Sequence, residues 1–255
     1  MLAALGLLAY RILCLLGYGC TVYFVFKTRP PRVSLEENII FQTRFLTIDT
    51  LLVQILYFAL AILLMPTKCY KLKSALSCFA LTTATVVSVM TWGLYFYDRE
   101  LLMTKETFEA IPTWFMQVSH SLVSATAIFD ILISRPKSVP FIRSLLLVVL
   151  YYLGYAAYTE YLIYKEKYYV YPLMRIFSDV ERYQFYGAVL VGIFLVFLVS
   201  VYVIRFSSIE TKRKSKKEKL KSKKPQQQQL SQQARKHSPA ANANAKNRKK
   251  QNKQE

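Results

Sequence analysis

The chain has 255 residues, 54% of them hydrophobic, yet it carries a formal net charge of +19. A water-soluble globule cannot bury so much Leu, Phe, Tyr and Val, so the composition excludes an ordinary soluble domain and points to the bilayer as solvent. The charge is unevenly placed: residues 207–255 hold sixteen Lys or Arg against three Glu, a charge of +13 that leaves only +6 for the rest.

About 20 mostly apolar residues are needed to cross roughly 30 Å of hydrocarbon as a helix. Six runs meet that length: Leu2–Phe26, Phe45–Met65, Leu72–Tyr97, Ile111–Ser134, Val139–Tyr161 and Tyr183–Phe206. They are long and lack the alternation of a barrel strand, and helices satisfy their backbone groups within one segment. The expected fold is therefore an all-α polytopic bundle of about six spans over residues 1–206. A disordered, basic, Gln- and Asn-rich cytosolic tail is expected over 207–255, because Lys212–Lys224, the glutamines 226–229 and the stretch after Ala240 offer nothing to bury.

Taken in order, the first run reads as a retained span and not a signal peptide. It lacks a basic start, and Arg11 interrupts it. Arg11 is an ionisable group at membrane depth, for which Asp49 and Asp130 are candidate partners. Cys14, Cys20, Cys69 and Cys78 show no metal-ligand spacing and suit plain helix packing, so neither a metal nor a cofactor is expected.

The second run and its approach carry Thr43, Thr47, Thr50 and Gln54 at spacings that fall on one helical stripe, with Asp49 on the opposite side. A helix beginning as early as Ile39 would centre near Leu52. The fourth run holds His120, the only histidine besides His237 in the tail, with Ser124 one turn further on. A neutral imidazole can accept and return a proton near neutral pH. A hydrogen-bonded structural histidine and a helix-packing stripe of hydroxyls remain open readings of the same residues. Thr47 and His120 fall within roughly 5 Å of one another in depth, at about 1.5 Å per residue.

Basic residues in short loops set the expected orientation. Lys68, Lys71 and Lys73 follow span two, and Arg135, Lys137 and Arg143 follow span four. The loop after span three is mostly acidic, with Asp98, Glu100, Glu106 and Glu109. Loops two and four, the tail and both termini are thus expected in the cytosol, and the basic tail on anionic lipid, with no nucleic-acid partner. The loop after span one, with Lys27, Arg29, Arg32 and Arg44, runs against this assignment.

Four motifs in order resemble one known family. Phe45-Leu46-Thr47-Ile48-Asp49 with Gln54, Tyr97-Asp98-Arg99-Glu100-Leu101, Ile111-Pro112-Thr113-Trp114 with His120-Ser121, and Tyr169-Val170-Tyr171-Pro172 are similar to motifs of the androgen-induced protein family. That family includes the androgen-dependent regulator of tissue factor pathway inhibitor (TFPI). The resemblance covers roughly Thr43 to Phe206. It implies a six-span intramembrane hydrolase of fatty acid esters of hydroxy fatty acids (FAHFA), with Thr47 as nucleophile and His120 as the catalytic histidine. The lipid would be its partner, and the endoplasmic reticulum or plasma membrane its location. Gln117 stands where relatives tend to carry an earlier histidine, and the long basic tail departs from their short C-termini. Ser124 and Gln54 are candidates for oxyanion donors, and Arg44 or Arg99 for a cation facing the lipid carboxylate. The competing expectation is a non-enzymatic membrane scaffold or signalling regulator that works through its basic tail.

Overall fold

The structure is a computed structural model and describes residues 2–28, 32–137 and 139–236. Its regular elements are α1 (Leu2–Lys27), α2 (Leu35–Gln42), α3 (Leu46–Leu63), α4 (Tyr70–Asp98), α5 (Lys105–Ala110), α6 (Thr113–Gln117), α7 (Val123–Ser134), α8 (Phe141–Tyr161), α9 (Pro172–Ile176) and α10 (Asp179–Lys236). Among the described residues there is no strand. Six helical segments are long and apolar enough to cross a membrane: Ala4–Lys27, Leu46–Leu63, Tyr70–Leu101, Thr113–Ser134, Phe141–Glu166 and Asp179–Ile209. They correspond one for one to the six expected spans.

The bundle is organised around α4, which packs on α3, α7 and α8. Its buried positions are mostly small, including Ser74, Ala75, Ser77, Cys78, Ala80, Thr82, Thr83 and Ala84. Small side chains let neighbouring helices approach closely, which is how association is gained where burial from water supplies no drive. The hydroxyls bond their own helix, as in Thr82 Oγ1 to Cys78 O at 2.7 Å and Ser88 Oγ to Ala84 O at 3.0 Å. Leu16, Leu56, Leu150 and Leu195 stand exposed on the outside, as suits a surface solvated by lipid chains.

One break departs from the sequence expectation. The helix does not run from Ile39 into span two: α2 ends at Gln42, Phe45 is extended (φ −91°, ψ 127°), and α3 starts afresh at Leu46. The capping box of Ser34 and Glu37 gives α2 its own start. The Glu37 carboxylate, accepting from the Ser34 backbone and hydroxyl, is held below its usual pKa range.

Residues through Ser208 form one compact unit, and those from Ile209 a second. Residues 209–236 carry helical backbone. Lys, Arg, Gln and Glu are good helix formers, and continuing a formed span avoids the cost of nucleation. The remainder of the tail, 237–255 with His237, lies outside the described residues.

Candidate active site at the start of the third helix

Thr47 is the second residue of α3, so its position depends on how that helix begins. Phe45 offers no side-chain cap. The Leu46 N–H donates instead to two phenol oxygens, of Tyr155 at 3.0 Å and Tyr171 at 3.2 Å. Tyr155 in turn donates to Arg44 O at 3.0 Å, so the extended turn is gripped on both sides. Burial raises the Tyr171 hydroxyl above the ordinary phenol range, which keeps it protonated. Phe45 O accepts the Ile48 and Asp49 N–H groups at 3.0 and 3.2 Å. The Thr47 N–H makes no hydrogen bond among the described residues, which leaves a free donor at the positive end of α3.

His120 sits in a widened, π-helical turn, Val118–Leu122, between α6 and α7. One added residue rotates the downstream helix by about 100° relative to an unbroken one, and such turns recur at functional sites. The ring is 4% exposed. Its Nδ1 lies 3.0 Å from Met116 O and 3.0 Å from Ser119 Oγ. Ser119 spends its hydroxyl proton on Phe115 O at 2.7 Å, so both neighbours of Nδ1 act as acceptors. The proton is thereby assigned to Nδ1, and Nε2 presents a lone pair. Thr47 Oγ1 lies 3.1 Å from that Nε2 and donates to it. The two side chains come from spans 73 residues apart in sequence.

The other residues anticipated for this site are placed elsewhere. Thr43 caps α2 and is not on α3. Gln54 is fully buried and donates to Ala80 O of α4 at 2.9 Å, while Ser124 pairs with Ser88 at 2.6 Å. The two candidate oxyanion donors are thus committed to α4, because small residues there bring their partners within reach. Asp49 takes no part in the Thr47–His120 contact and makes no ion pair among the described residues. Arg44 is neutralised by Glu166 at 2.7 Å and lies 4.8 Å from the ring of Tyr168. Arg99 stacks at 5.6 Å on Phe108. Gln117 is exposed and accepts from Ser121 at 2.9 Å, whose oxygen takes the Trp92 N–H at 3.1 Å. Sequence reasoning missed Ser119, Tyr155 and the role of Met116 O. Tyr171 was in view only as part of the aromatic-proline motif.

A second polar cluster lies further along the bundle, toward the end remote from Thr47. Arg11 Nε and Nη2 meet the two Asp130 oxygens at 2.7 and 3.0 Å, and Nη1 donates to Ala61 O at 2.9 Å. Tyr57 and Ser134 donate to Asp130 Oδ2 at 2.5 and 3.3 Å. Of the two partners open to Arg11, Asp130 is the one it takes. Among the described residues, no three His, Cys, Asp or Glu side chains converge as metal ligands would.

Comparison with known proteins agrees with the motif reading. The model of the FAR-17a/AIG1-like protein family matches residues 7–203, most of the chain, with Thr47 and His120 inside the match. A UPF0641 membrane protein of the yeast Schizosaccharomyces pombe is 29% identical over 117 residues, a stretch covering 46% of this chain and 52% of that protein. The match therefore spans about half the length of that relative. No solved structure matches the chain. This multi-pass membrane protein, with Thr47 and His120 joined at the head of its third helix, belongs to the FAR-17a/AIG1-like family.

Proposed function

We propose that the protein is an intramembrane hydrolase of fatty acid esters of hydroxy fatty acids, with Thr47 as nucleophile and His120 as general base. The observation that carries this reading is the 3.1 Å contact between Thr47 Oγ1 and His120 Nε2, with Nδ1 held by acceptors. A threonine hydroxyl is a weak nucleophile at neutral pH and needs an adjacent, oriented base. His120 takes the Thr47 proton as Oγ1 attacks the ester carbonyl. The negative charge that develops on the carbonyl oxygen is received by the unpaired Thr47 N–H at the start of α3, where the helix dipole favours it. Protonated His120 then gives its proton to the departing oxygen of the hydroxy fatty acid. Water, deprotonated by the same Nε2, hydrolyses the acyl-threonine and returns Thr47 and neutral His120.

The mostly acidic loop after span three and the basic loops at the other end support an orientation in which Thr47 lies toward the non-cytosolic face. The basic tail would then lie on the anionic cytosolic leaflet.

The test is hydrolysis of such an ester by purified protein. Wild type is expected to turn it over, and both Thr47→Ala and His120→Ala to lose it. A fluorophosphonate probe is expected to label wild type and not Thr47→Ala. Activity that persists in both variants overturns the assignment.

A further inference from the structure

At the end of the bundle remote from Thr47, the ends of α3, α4 and α7 surround a cavity of about 150 Å³. Since Ala61 lines it, the cavity lies fourteen residues along α3 from Thr47, about 21 Å at 1.5 Å per residue. Four cationic side chains line it: Arg11, Lys73, Arg135 and Lys137, with no carboxylate among the lining residues. Asp130 neutralises Arg11. The other three make no ion pair among the described residues. Asp130, already taken by Arg11, is the nearest carboxylate in sequence to Arg135 and Lys137; residues 64–97 and 131–159 contain no Asp or Glu.

What holds these cations leaves their charge uncancelled. Lys73 Nζ donates to the carbonyls of Met65 and Thr67 at 3.2 and 2.8 Å. Lys137 Nζ lies 3.7 Å from the centre of the Tyr70 ring. Arg135 caps α7 with φ 49°, in the left-handed region that costs a residue with a Cβ roughly 1 kcal/mol or more. Glycine would be the natural occupant of that position. An arginine kept there places a guanidinium at the cavity.

We infer that this cavity binds a phosphate monoester presented by a lipid headgroup. Three uncompensated cations match a dianion with several acceptor oxygens, and a zwitterionic choline headgroup does not supply that charge. A cavity of about 150 Å³ is large enough to admit a phosphate group. The cavity opens where α3 ends at Leu63, α4 begins at Tyr70 and α7 ends at Ser134, the ends of three spans. Basic pockets between spans are a recurrent form of headgroup recognition.

The experiment is thermal unfolding of the purified full-length protein in detergent micelles doped with phosphatidic acid, phosphatidylcholine or oleate, and separately with inorganic phosphate. Phosphatidic acid is expected to raise Tm in a saturable way, and phosphatidylcholine to leave it unchanged. Inorganic phosphate should need at least 100-fold higher concentration. The double variant Arg135→Gly/Lys137→Gln is expected to need at least ten-fold more phosphatidic acid for the same shift. Its ligand-free Tm should be equal or higher, because glycine relieves the backbone at 135. Should that variant fail to fold, Lys137→Gln alone carries the test with the same direction. Arg99→Gln/Lys105→Gln, basic residues at the other end of α4, should respond as wild type. The site is overturned if the cavity variants respond as wild type or if phosphatidylcholine shifts Tm equally. An equal shift by oleate overturns the phosphate assignment, and an equal shift by inorganic phosphate at the same concentration overturns the lipid source.

Discussion

Asp130 and His120 lie ten residues apart on one span, yet their surroundings differ in kind. Asp130 receives Arg11 twice, Tyr57 and Ser134, four donors for two oxygens. Its acceptor capacity is filled, and the arrangement has one stable state. His120 is fixed at Nδ1 by two acceptors, while Nε2 has a single partner, a hydroxyl that can give up its proton. One cluster is saturated and locks helices together. The other keeps one bond that can be exchanged. Burial of a polar group alone therefore does not mark a reactive one; the distinction lies in spare valence.

That contrast can be broken from either side. The largest effect is expected at the exchangeable bond: His120→Ala should lower ester turnover about 10²- to 10⁴-fold, the usual share of a positioned base. Its melting temperature should stay close to wild type, read in the same preparation. Next comes the saturated cluster. Asp130→Ala leaves a buried guanidinium unpaired and should destabilise by about 3–5 kcal/mol, seen in denaturant unfolding. The double change Arg11→Met/Asp130→Leu should recover most of that loss, since it removes both charges together; a double variant as unstable as the single one contradicts the ion-pair account.

A smaller effect is expected at the clamp on α3. Tyr155→Phe removes an acceptor for Leu46 N–H and the donor to Arg44 O, for a net cost of about 1 kcal/mol per bond. Because Thr47 is the next residue, turnover should fall about ten-fold with little change in KM. The smallest belongs to Ser119→Ala. Met116 O still holds the Nδ1 proton, so a reduction of about two- to five-fold is expected, roughly 0.5–1 kcal/mol. A full loss of turnover there would shift the orienting role from Met116 O to Ser119.

Much of the fold was legible in the sequence because hydropathy is a local property. Each apolar run reports its own span, and the six segments emerged within a few residues of their bounds. The break before Leu46 was not legible: no Pro or Gly marks it, and it is decided by Tyr155 and Tyr171, more than a hundred residues on. The same limit governs the site. Side-chain chemistry and family motifs singled out Thr47 and His120, and crude depth placed them near one level. Their meeting in the membrane plane is a property of packing around α4. Ser124 and Gln54 show the converse: both share a face with the site on a helical projection, and both are claimed by α4 instead.

The tyrosine clamp also dates the site within biosynthesis. Tyr155 and Tyr171 follow Leu46 by 109 and 125 residues. At about 5–20 residues per second, the ribosome delivers the second of them roughly 6 to 25 s after Leu46. Through that interval the nascent chain holds its threonine on a helix end with no anchor. The pair becomes fully braced only when the segment after the fifth span arrives, so the start of α3 is among the last parts of the bundle to be fixed.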